Sequence, residues 1–355
     1  MLHVATTDSA NRSRRAGKVR KPRKVTLSDV AGRAGVSTTT ASYILNGRST
    51  EMRISADAER RVRDAVTDLG YRPNRSARSL RTSRTATVGL ISDFIASGHF
   101  SSQMLAGASG AARERDHLVV IGETGGDPYL TDLLIEEMLD RQVDGVIYAT
   151  LSASRVALHP RLAGFQTVFL NCYDPVAGVP AVLADDLEGG RTAVGLLLDA
   201  GIRDGVYVIG EDPAPHAVAG SLRLAGVRHR LAEDGLALAG VVSCDWDVPA
   251  AYDALDGWLS SGTRPRGLVC LNDRIAMGAY QALHAHGLGV PQDVAVVSFD
   301  GSELATWLRP QVTSVGLPFN ELGAHAVRLL LDPPVAPGTV VRVPMPVHPG
   351  GSVGC

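Results

Sequence analysis

Residues 24–45 read KVTLSDVAGRAGVSTTTASYIL, and the character of the chain turns on this stretch. Thr26 followed three residues later by Asp29 predicts a capping box at a helix start. Leu27, Val30, Ala31 and Ala34 then fall at i, i+3, i+4 and i+7, which is one face of a helix. Gly35 ends that helix and permits a tight turn. Ser37 is a suitable cap for a second helix. Ala41, Ile44 and Leu45 would form its buried side. Its open side would carry Thr38, Thr39, Ser42, Tyr43 and Asn46, which are small and polar apart from one aromatic ring.

Working outward, Ser55 can cap a third helix whose apolar face is Ala58, Val62, Ala65, Val66 and Leu69, with Gly70 stopping it. Three short helices sharing one small core make a compact unit of about 45 residues, marginal in size. Two helices across a tight turn form the helix-turn-helix pattern, in which the second helix enters the major groove of DNA. The charge agrees. Residues 1–85 hold 19 Lys+Arg against 7 Asp+Glu, net +12, and the remainder holds 35−19=16 against 37−7=30, net −14. A basic end on an acidic body implies a polyanionic partner for that end alone. Thr38 and Thr39 stand at the helix start, where hydroxyls can donate to or accept from base edges and methyl groups can touch thymine. Residues 1–23, polar and basic, are expected to be a disordered tail.

The segment 71–85 differs from what precedes it. Pro73 and Asn74 can start a helix, but Arg75 to Arg81 offers just two apolar side chains, Ala77 and Leu80. Such a helix is weak alone and is expected to fold against something. From Thr87 onward, short apolar runs alternate with amphipathic helices. Strands are expected at 87–92, 118–121, 145–149, 167–170, 206–209, 267–271 and 294–299, and helices at 102–115, 131–141, 187–200, 219–234, 250–260, 274–285 and 320–331. This alternation predicts an α/β core with doubly wound parallel sheets. The units are too many for one ordinary sheet, so two lobes dividing near 184–186 are expected. A small-molecule site would then lie in the cleft between them, beyond the carboxyl ends of the strands.

Several classes are disfavoured. The four cysteines, Cys172, Cys244, Cys270 and Cys355, are scattered and make no CxxC or Cys/His pairing, so no zinc site or disulfide framework is indicated. No apolar run approaches the ~20 residues that span a bilayer, and no apolar stretch follows the N-terminal charges as in a secretory signal. A cytoplasmic protein without a cofactor is expected. There is no phosphate-binding glycine loop. Residues 350–354, GGSVG, fit G-x-S-x-G, yet no helix follows to build the strained turn that activates such a serine. The chain does not read as an enzyme.

Val25 to Ser37, then Thr38-Thr-Thr-Ala-Ser42, and Tyr71-Arg-Pro-Asn-Arg-Ser-Ala-Arg-Ser-Leu80 together resemble the lactose-repressor/galactose-repressor family of bacterial transcription regulators. The similarity covers nearly the whole chain after Lys24. It implies a helix-turn-helix head at 24–70, a hinge helix and linker at 71–85, and a core at 86–355 resembling periplasmic sugar-binding proteins. Within that core an N-lobe of about 86–184 plus 316–333 and a C-lobe of about 185–315 plus 334–355 are expected. The DNA-binding set implied is Thr26, Ser37, Thr38, Thr39, Thr40, Ser42, Tyr43, Asn46, Arg53, Ala77, Arg78 and Leu80. Arg53-Ile-Ser55 matches the family's phosphate-contacting entry to the third helix. Leu80 occupies the position of a leucine that wedges between base pairs when two hinge helices meet in the minor groove, a step that kinks the duplex. Tyr43 departs from the family, whose members often carry Arg or His there.

The resemblance also implies an effector site of Phe100, Asn171, Arg223, Trp246, Asn272 and Asp300. A carboxylate, an amide and a guanidinium beside an aromatic plane suit a polyhydroxylated ligand. Asn171 departs by replacing an acidic residue, and Ala219 by replacing a hydroxyl residue. The expected protein is thus a DNA-binding repressor, a homodimer with a tetramer left open, whose partners are double-stranded operator DNA and a small sugar-like effector, with no membrane. A solute-binding protein without a regulatory role is the alternative. The basic head and the missing signal peptide argue against it.

Overall fold

The computed structural model describes residues 25–72, 84–95, 102–211, 214–332 and 335–354, which fall into two compact units, a head and a core. The expected basic tail and Ala77, Arg78, Leu80 and Phe100 lie outside the described residues.

The head consists of α1 (Leu27–Ala34), α2 (Thr38–Leu45) and α3 (Ala56–Leu69). Thr26 and Asp29 close the capping box reciprocally: Asp29 Oδ2 accepts from the Thr26 amide at 2.8 Å and Thr26 Oγ1 from the Asp29 amide at 3.3 Å. Gly35 takes φ 66°, a left-handed value open to glycine at little cost. Ser37 Oγ accepts from the Thr40 amide at 3.0 Å, and Ser55 Oγ caps α3 in the same way. Val30, Ala31, Ala34, Ala41, Ile44, Val62 and Ala65 form one shared core.

The core begins with β1 (Thr87–Ser92), α4 (Ser102–Arg113), β2 (Leu118–Glu123), α5 (Pro128–Asp140), β3 (Gly145–Arg155), β4 (Thr167–Tyr173) and β5 (Ala181–Ala184). It continues through α6 (Asp186–Asp199), β6 (Val206–Ile209), α7 (Ala219–Glu233), β7 (Gly240–Val242), α8 (Val248–Ser260), β8 (Gly267–Cys270), α9 (Asp273–Ala285) and β9 (Ala295–Asp300). The last elements are α10 (Glu303–Trp307), β10 (Thr313–Gly316), α11 (Phe319–Leu331), β11 (Val340–Val343) and β12 (Val347–His348). They build two six-stranded sheets, ordered β11-β5-β4-β3-β1-β2 and β12-β10-β9-β8-β6-β7. The first is parallel throughout, and the second is parallel except for β12, which runs antiparallel to β10.

One boundary needs correction. Residues 334–355 do not all belong to the second lobe, because β11 pairs in parallel with β5, Val340 opposite Ala181, and so closes the edge of the first sheet. The chain therefore passes between lobes three times: from β5 to α6, from β10 to α11, and from β11 to β12. Helix α11 packs in the first lobe, where Phe319, Leu322 and Val327 join Val88, Leu90 and Ala108.

Each lobe contains a helix pair in backbone contact. A Cβ on Gly107 would stand 1.9 Å from the Asn320 carbonyl oxygen, and one on Gly323 2.0 Å from that of Met104, so α4 and α11 cross where only glycine fits. In the second lobe the same device joins α6 and α7: a Cβ on Gly190 would lie 2.0 Å from the Arg223 carbonyl oxygen, and one on Gly226 2.0 Å from that of Leu187.

Candidate effector cleft and DNA-facing helix

In the head, α2 is apolar on one side and polar on the other. Ala41 and Ile44 are buried, whereas Thr38 and Thr39 are exposed. Not every polar group on this helix is open. Thr40 Oγ1 lies 2.8 Å from Ser37 Oγ, and the Asn46 amide donates back to the Ser42 carbonyl at 2.6 Å. Tyr43 is half-buried, its ring 5.2 Å from the Arg48 guanidinium, and Arg48 is itself held by Glu51 through two bonds of 2.8 and 2.5 Å. Arg48 and Glu51 are missing from the sequence-derived set, since a loop charge pair leaves no periodic signal. Arg53 is exposed at φ 50° in the turn that leads into α3.

In the core, four of the expected effector residues belong to the second lobe and gather at the carboxyl ends of its strands. Asn272 follows β8 and caps α9, its Oδ1 accepting from the Ile275 amide at 2.7 Å. Its Nδ2 donates to the Trp246 carbonyl at 3.4 Å. Asp300 ends β9 at φ 101°, a strained value for a residue with a Cβ and a common mark of a functional position. Trp246 donates its indole N–H to the Glu211 carbonyl, and its ring lies 5.6 Å from the Arg223 guanidinium.

Arg223 is 1% exposed. Its Nε donates to Asp186 at 2.8 Å and its Nη1 to the Leu271 carbonyl at 2.5 Å, and the guanidinium lies over the Phe299 ring at 4.4 Å. Arg223 is thus held in place by protein groups alone. Asp186 escaped sequence reading because an acid at a helix start looks like a capping charge.

Buried Asp273 accepts from the Ser298 and Ser314 hydroxyls and, at 2.7 Å each, from the Ser302 amide and hydroxyl. These bonds tie α9 to the loop that carries Asp300. Burial pushes the Asp300 carboxyl up to about 7, reinforced by Asp273 and opposed by Arg223 and Arg274. Half of such a group is protonated near neutral pH, so it can donate as well as accept.

Asn171 lies at the carboxyl end of β4 in the first lobe, 5% exposed and at φ 57°. Its amide donates to the Thr150 and Leu151 carbonyls at 3.1 and 2.7 Å, so these donors stitch β4 to β3. Asp93, absent from the expected set, follows β1 and accepts from the Phe94 and Leu151 amides at 2.6 and 2.9 Å. Burial raises its carboxyl above the usual range.

The lobes touch beside this site. Ser154 forms an antiparallel bridge with Ala217, the Val218 amide donates to the Ala153 carbonyl at 2.8 Å, and Ala153 and Tyr173 pack with Val218, Ala219 and Trp246. An open cavity lined by Arg155, Glu211, Pro215, Val218 and Ser221 adjoins the contact.

Ser352 of the GGSVG run is fully buried. Its hydroxyl donates to the Val296 carbonyl at 2.5 Å and accepts from the Thr313 amide at 2.8 Å. It braces two strands and has no access to a substrate. Among the described residues no group of three His, Cys, Asp or Glu could hold a metal, and no helix is long and apolar enough to cross a membrane.

A helix-turn-helix head with a polar second helix, joined to a two-lobed α/β core with a polar cleft, defines a ligand-responsive DNA-binding regulator. Residues 26–74 match the bacterial regulatory proteins of the lacI family, and residues 194–353 match the periplasmic binding protein-like domain. The ribose operon repressor of Escherichia coli K12 is 32% identical over 313 residues, covering 86% of this chain and 92% of that protein. The transcriptional regulator RegA of Clostridium saccharobutylicum is 31% identical over 308 residues, covering 86% and 91%. Among solved structures, a lac repressor dimer bound to operator and the anti-inducer ONPF superposes with TM-score 0.76 at 25% identity, covering 93% of this chain and 99% of that one. The regulator CelR in complex with cellobiose superposes with TM-score 0.65 at 27% identity, covering 93% and 100%. The chain belongs to the lacI family. It is a DNA-binding transcriptional regulator with an effector-binding domain, and the relatives it matches are regulators, not enzymes.

Proposed function

We propose that this chain is a homodimeric repressor, working in the cytoplasm, that docks one head on each half of a near-palindromic operator. A sugar-like effector between the lobes sets its affinity. The observation that carries the reading is the union in one chain of a helix with an open hydroxyl face and a cleft in which Arg223, Asn272 and Asp300 converge beside Trp246. Thr38, Thr39 and Tyr43 are assigned to base edges in the major groove, with Thr26, Ser37, Thr40, Ser42, Asn46 and Arg53 around them on the phosphates and as helix supports. Ala77, Arg78 and Leu80 are assigned to the minor groove, with Leu80 as the wedge.

On the effector side, Asp300 accepts from or donates to hydroxyls and Asn272 contributes its amide. Arg223 completes the polar floor, and Trp246 offers a ring face. Asn171 is assigned to the opposing wall, and Phe100 to the effector-binding set. Relatives named for ribose operons, and one bound to cellobiose, agree with a polyhydroxylated ligand. Effector binding changes the relation between lobes and hence operator affinity, a coupling free energy between two sites.

A gel-shift titration against duplexes selected from a random pool tests the first half. The expected result is tight binding to a near-palindrome that falls about a thousandfold between 50 and 200 mM salt, as for six or more neutralised phosphates. Binding that ignores sequence would overturn it. A thermal-shift panel of pentoses, hexoses and disaccharides tests the second half, because a ligand of the folded state raises the midpoint by mass action. No shift with any sugar would remove the assigned class.

A further inference from the structure

We propose that Asp144 fastens the point at which the chain leaves the core toward the head, and that β3 carries this fastening to the effector cleft. The destination of the chain beyond residue 84 rests on the regulator reading above.

The Asp144 side chain is only 10% exposed. Its Oδ1 accepts from the Thr85 amide at 2.8 Å and lies 3.2 Å from the Thr85 hydroxyl, whose single proton it shares with the Gln142 carbonyl. Its Oδ2 accepts from the Ala86 amide at 2.9 Å and from His117 Nε2 at 3.1 Å. The backbone closes the knot: the Asp144 amide donates to the Thr87 carbonyl at 2.7 Å, and the Leu118 amide to the Ala86 carbonyl at 2.9 Å. His117 is oriented by a second bond, Nδ1 to the Arg115 carbonyl at 2.6 Å, and Thr85 Oγ1 also donates to the Gln142 carbonyl at 2.9 Å. One carboxylate therefore holds two consecutive amides of the exit segment, a charge-assisted arrangement stronger than neutral bonds.

Ala86 takes φ 54°, a left-handed value that a residue with a Cβ keeps only where its surroundings dictate it. Asp116 and Gln142, at 58° and 54°, are the left-handed residues that close α4 and α5, their amides donating to the Arg113 and Leu139 carbonyls, so two helix ends meet the exit segment at Asp144.

Asp144 directly precedes β3, which is paired on both sides, with β1 and β4. Extended residues rise ~3.3 Å each, so Leu151 stands roughly 23 Å along the strand from Asp144. At that far end Leu151 is bound by Asp93 and Asn171, and Ala153 and Arg155 bond to the second lobe at Val218 and His216. The ladder holds both edges of β3 over residues 146–149; beyond it the register with β4 shifts, and Thr150 and Leu151 are held by bonds to Asn171 and Asp93 until pairing with β4 resumes at Ser154. A change in lobe contact at 153–155 is thus passed to the exit at 85–86 along a contiguous hydrogen-bonded path that includes those side chains.

The test compares the full chain with Asp144→Asn, which keeps side-chain size but loses acceptors, and with Thr85→Val, which removes only the hydroxyl bonds. Amide hydrogen exchange at residues 84–87 is measured first. Affinity is then measured for a duplex selected by the wild-type protein and for a scrambled duplex of equal length. The expected result is faster exchange at 84–87 in both variants and about tenfold weaker binding to the selected duplex, with scrambled binding unchanged. Unchanged exchange at 84–87 overturns the fastening. Equal losses on both duplexes, or no loss on the selected one, overturn its link to DNA. Should the wild-type protein itself fail to discriminate between the duplexes, the regulator reading fails instead, and the exchange measurement still decides whether Asp144 holds the exit.

Discussion

Arg223 illustrates how far a motif carries and where it stops. Its segment in the sequence is enough to nominate it for the cleft, but its partner Asp186 is 37 positions away and was nominated by nothing. Both side chains of the pair are 2% exposed, and removing one charge would strand the other. Arg223→Ala is therefore expected to destabilise the second lobe by about 3–5 kcal/mol, read as a lowered urea midpoint. A variant as stable as the wild type would mean that the pair is open to water in solution. Asp300 has a different signature. Its folded carboxyl titrates at about 7, above its unfolded value, so the folded state holds the proton more tightly. The stability it contributes is complete below the unfolded value near 4 and is lost as pH rises through 7. Asp300→Asn cannot ionise, so its urea midpoint should gain on the wild type between pH 5 and 8. Parallel pH profiles would refute the burial argument.

Among the elements, α6 offers a controlled comparison. Gly190 faces the Arg223 carbonyl with no room for a methyl group, whereas a Cβ on Gly195, five residues along the same helix, meets nothing within 4 Å. Gly190→Ala must push α7, and Arg223 with it, out of place. A loss of 1–3 kcal/mol or more is expected from overpacking, together with weakened sugar binding. Gly195→Ala should be neutral or gain up to about 1 kcal/mol of helix propensity. Equal effects of the two in thermal unfolding would show that the helix contact is not tight. The long helices and seven of the strands were legible because apolar runs alternate with amphipathic helices. β5, β7, β10, β11 and β12, two to four residues each, were not; β6 and β8 are as short as β5, β10 and β11, so brevity alone does not hide a strand, and the five are assigned by long-range pairing. The extension of β3 past residue 149 was hidden for another reason. Thr150 to Arg155 has just Leu151 and Ala153 as apolar residues, and its partners there are Asn171, Asp93 and the second lobe, which no local pattern encodes. In the head the reverse holds: caps and stops are local chemistry, so Thr26, Gly35, Ser37, Ser55 and Gly70 could be placed from the sequence alone.

At the scale of the molecule, the three passages between lobes mean that neither lobe is one continuous piece of chain. The helix α11 and strand β11 that complete the first lobe lie more than a hundred residues beyond its other strands, and β12 completes the second. The order of synthesis is then the reverse of the order of closure. The ribosome releases β1 to β5 early, yet their sheet lacks an edge strand and a covering helix until residue 343 has emerged, by which time the second lobe is nearly finished. Both lobes should reach their final form almost together, late, and after a long interval in which an apolar sheet face stands open to other molecules. A chain ending at residue 318 is expected to collect in the insoluble fraction, although it retains the whole head and ten of the twelve core strands. Recovery of such a fragment as a soluble, cooperatively melting species would show that the first lobe closes without its last two elements.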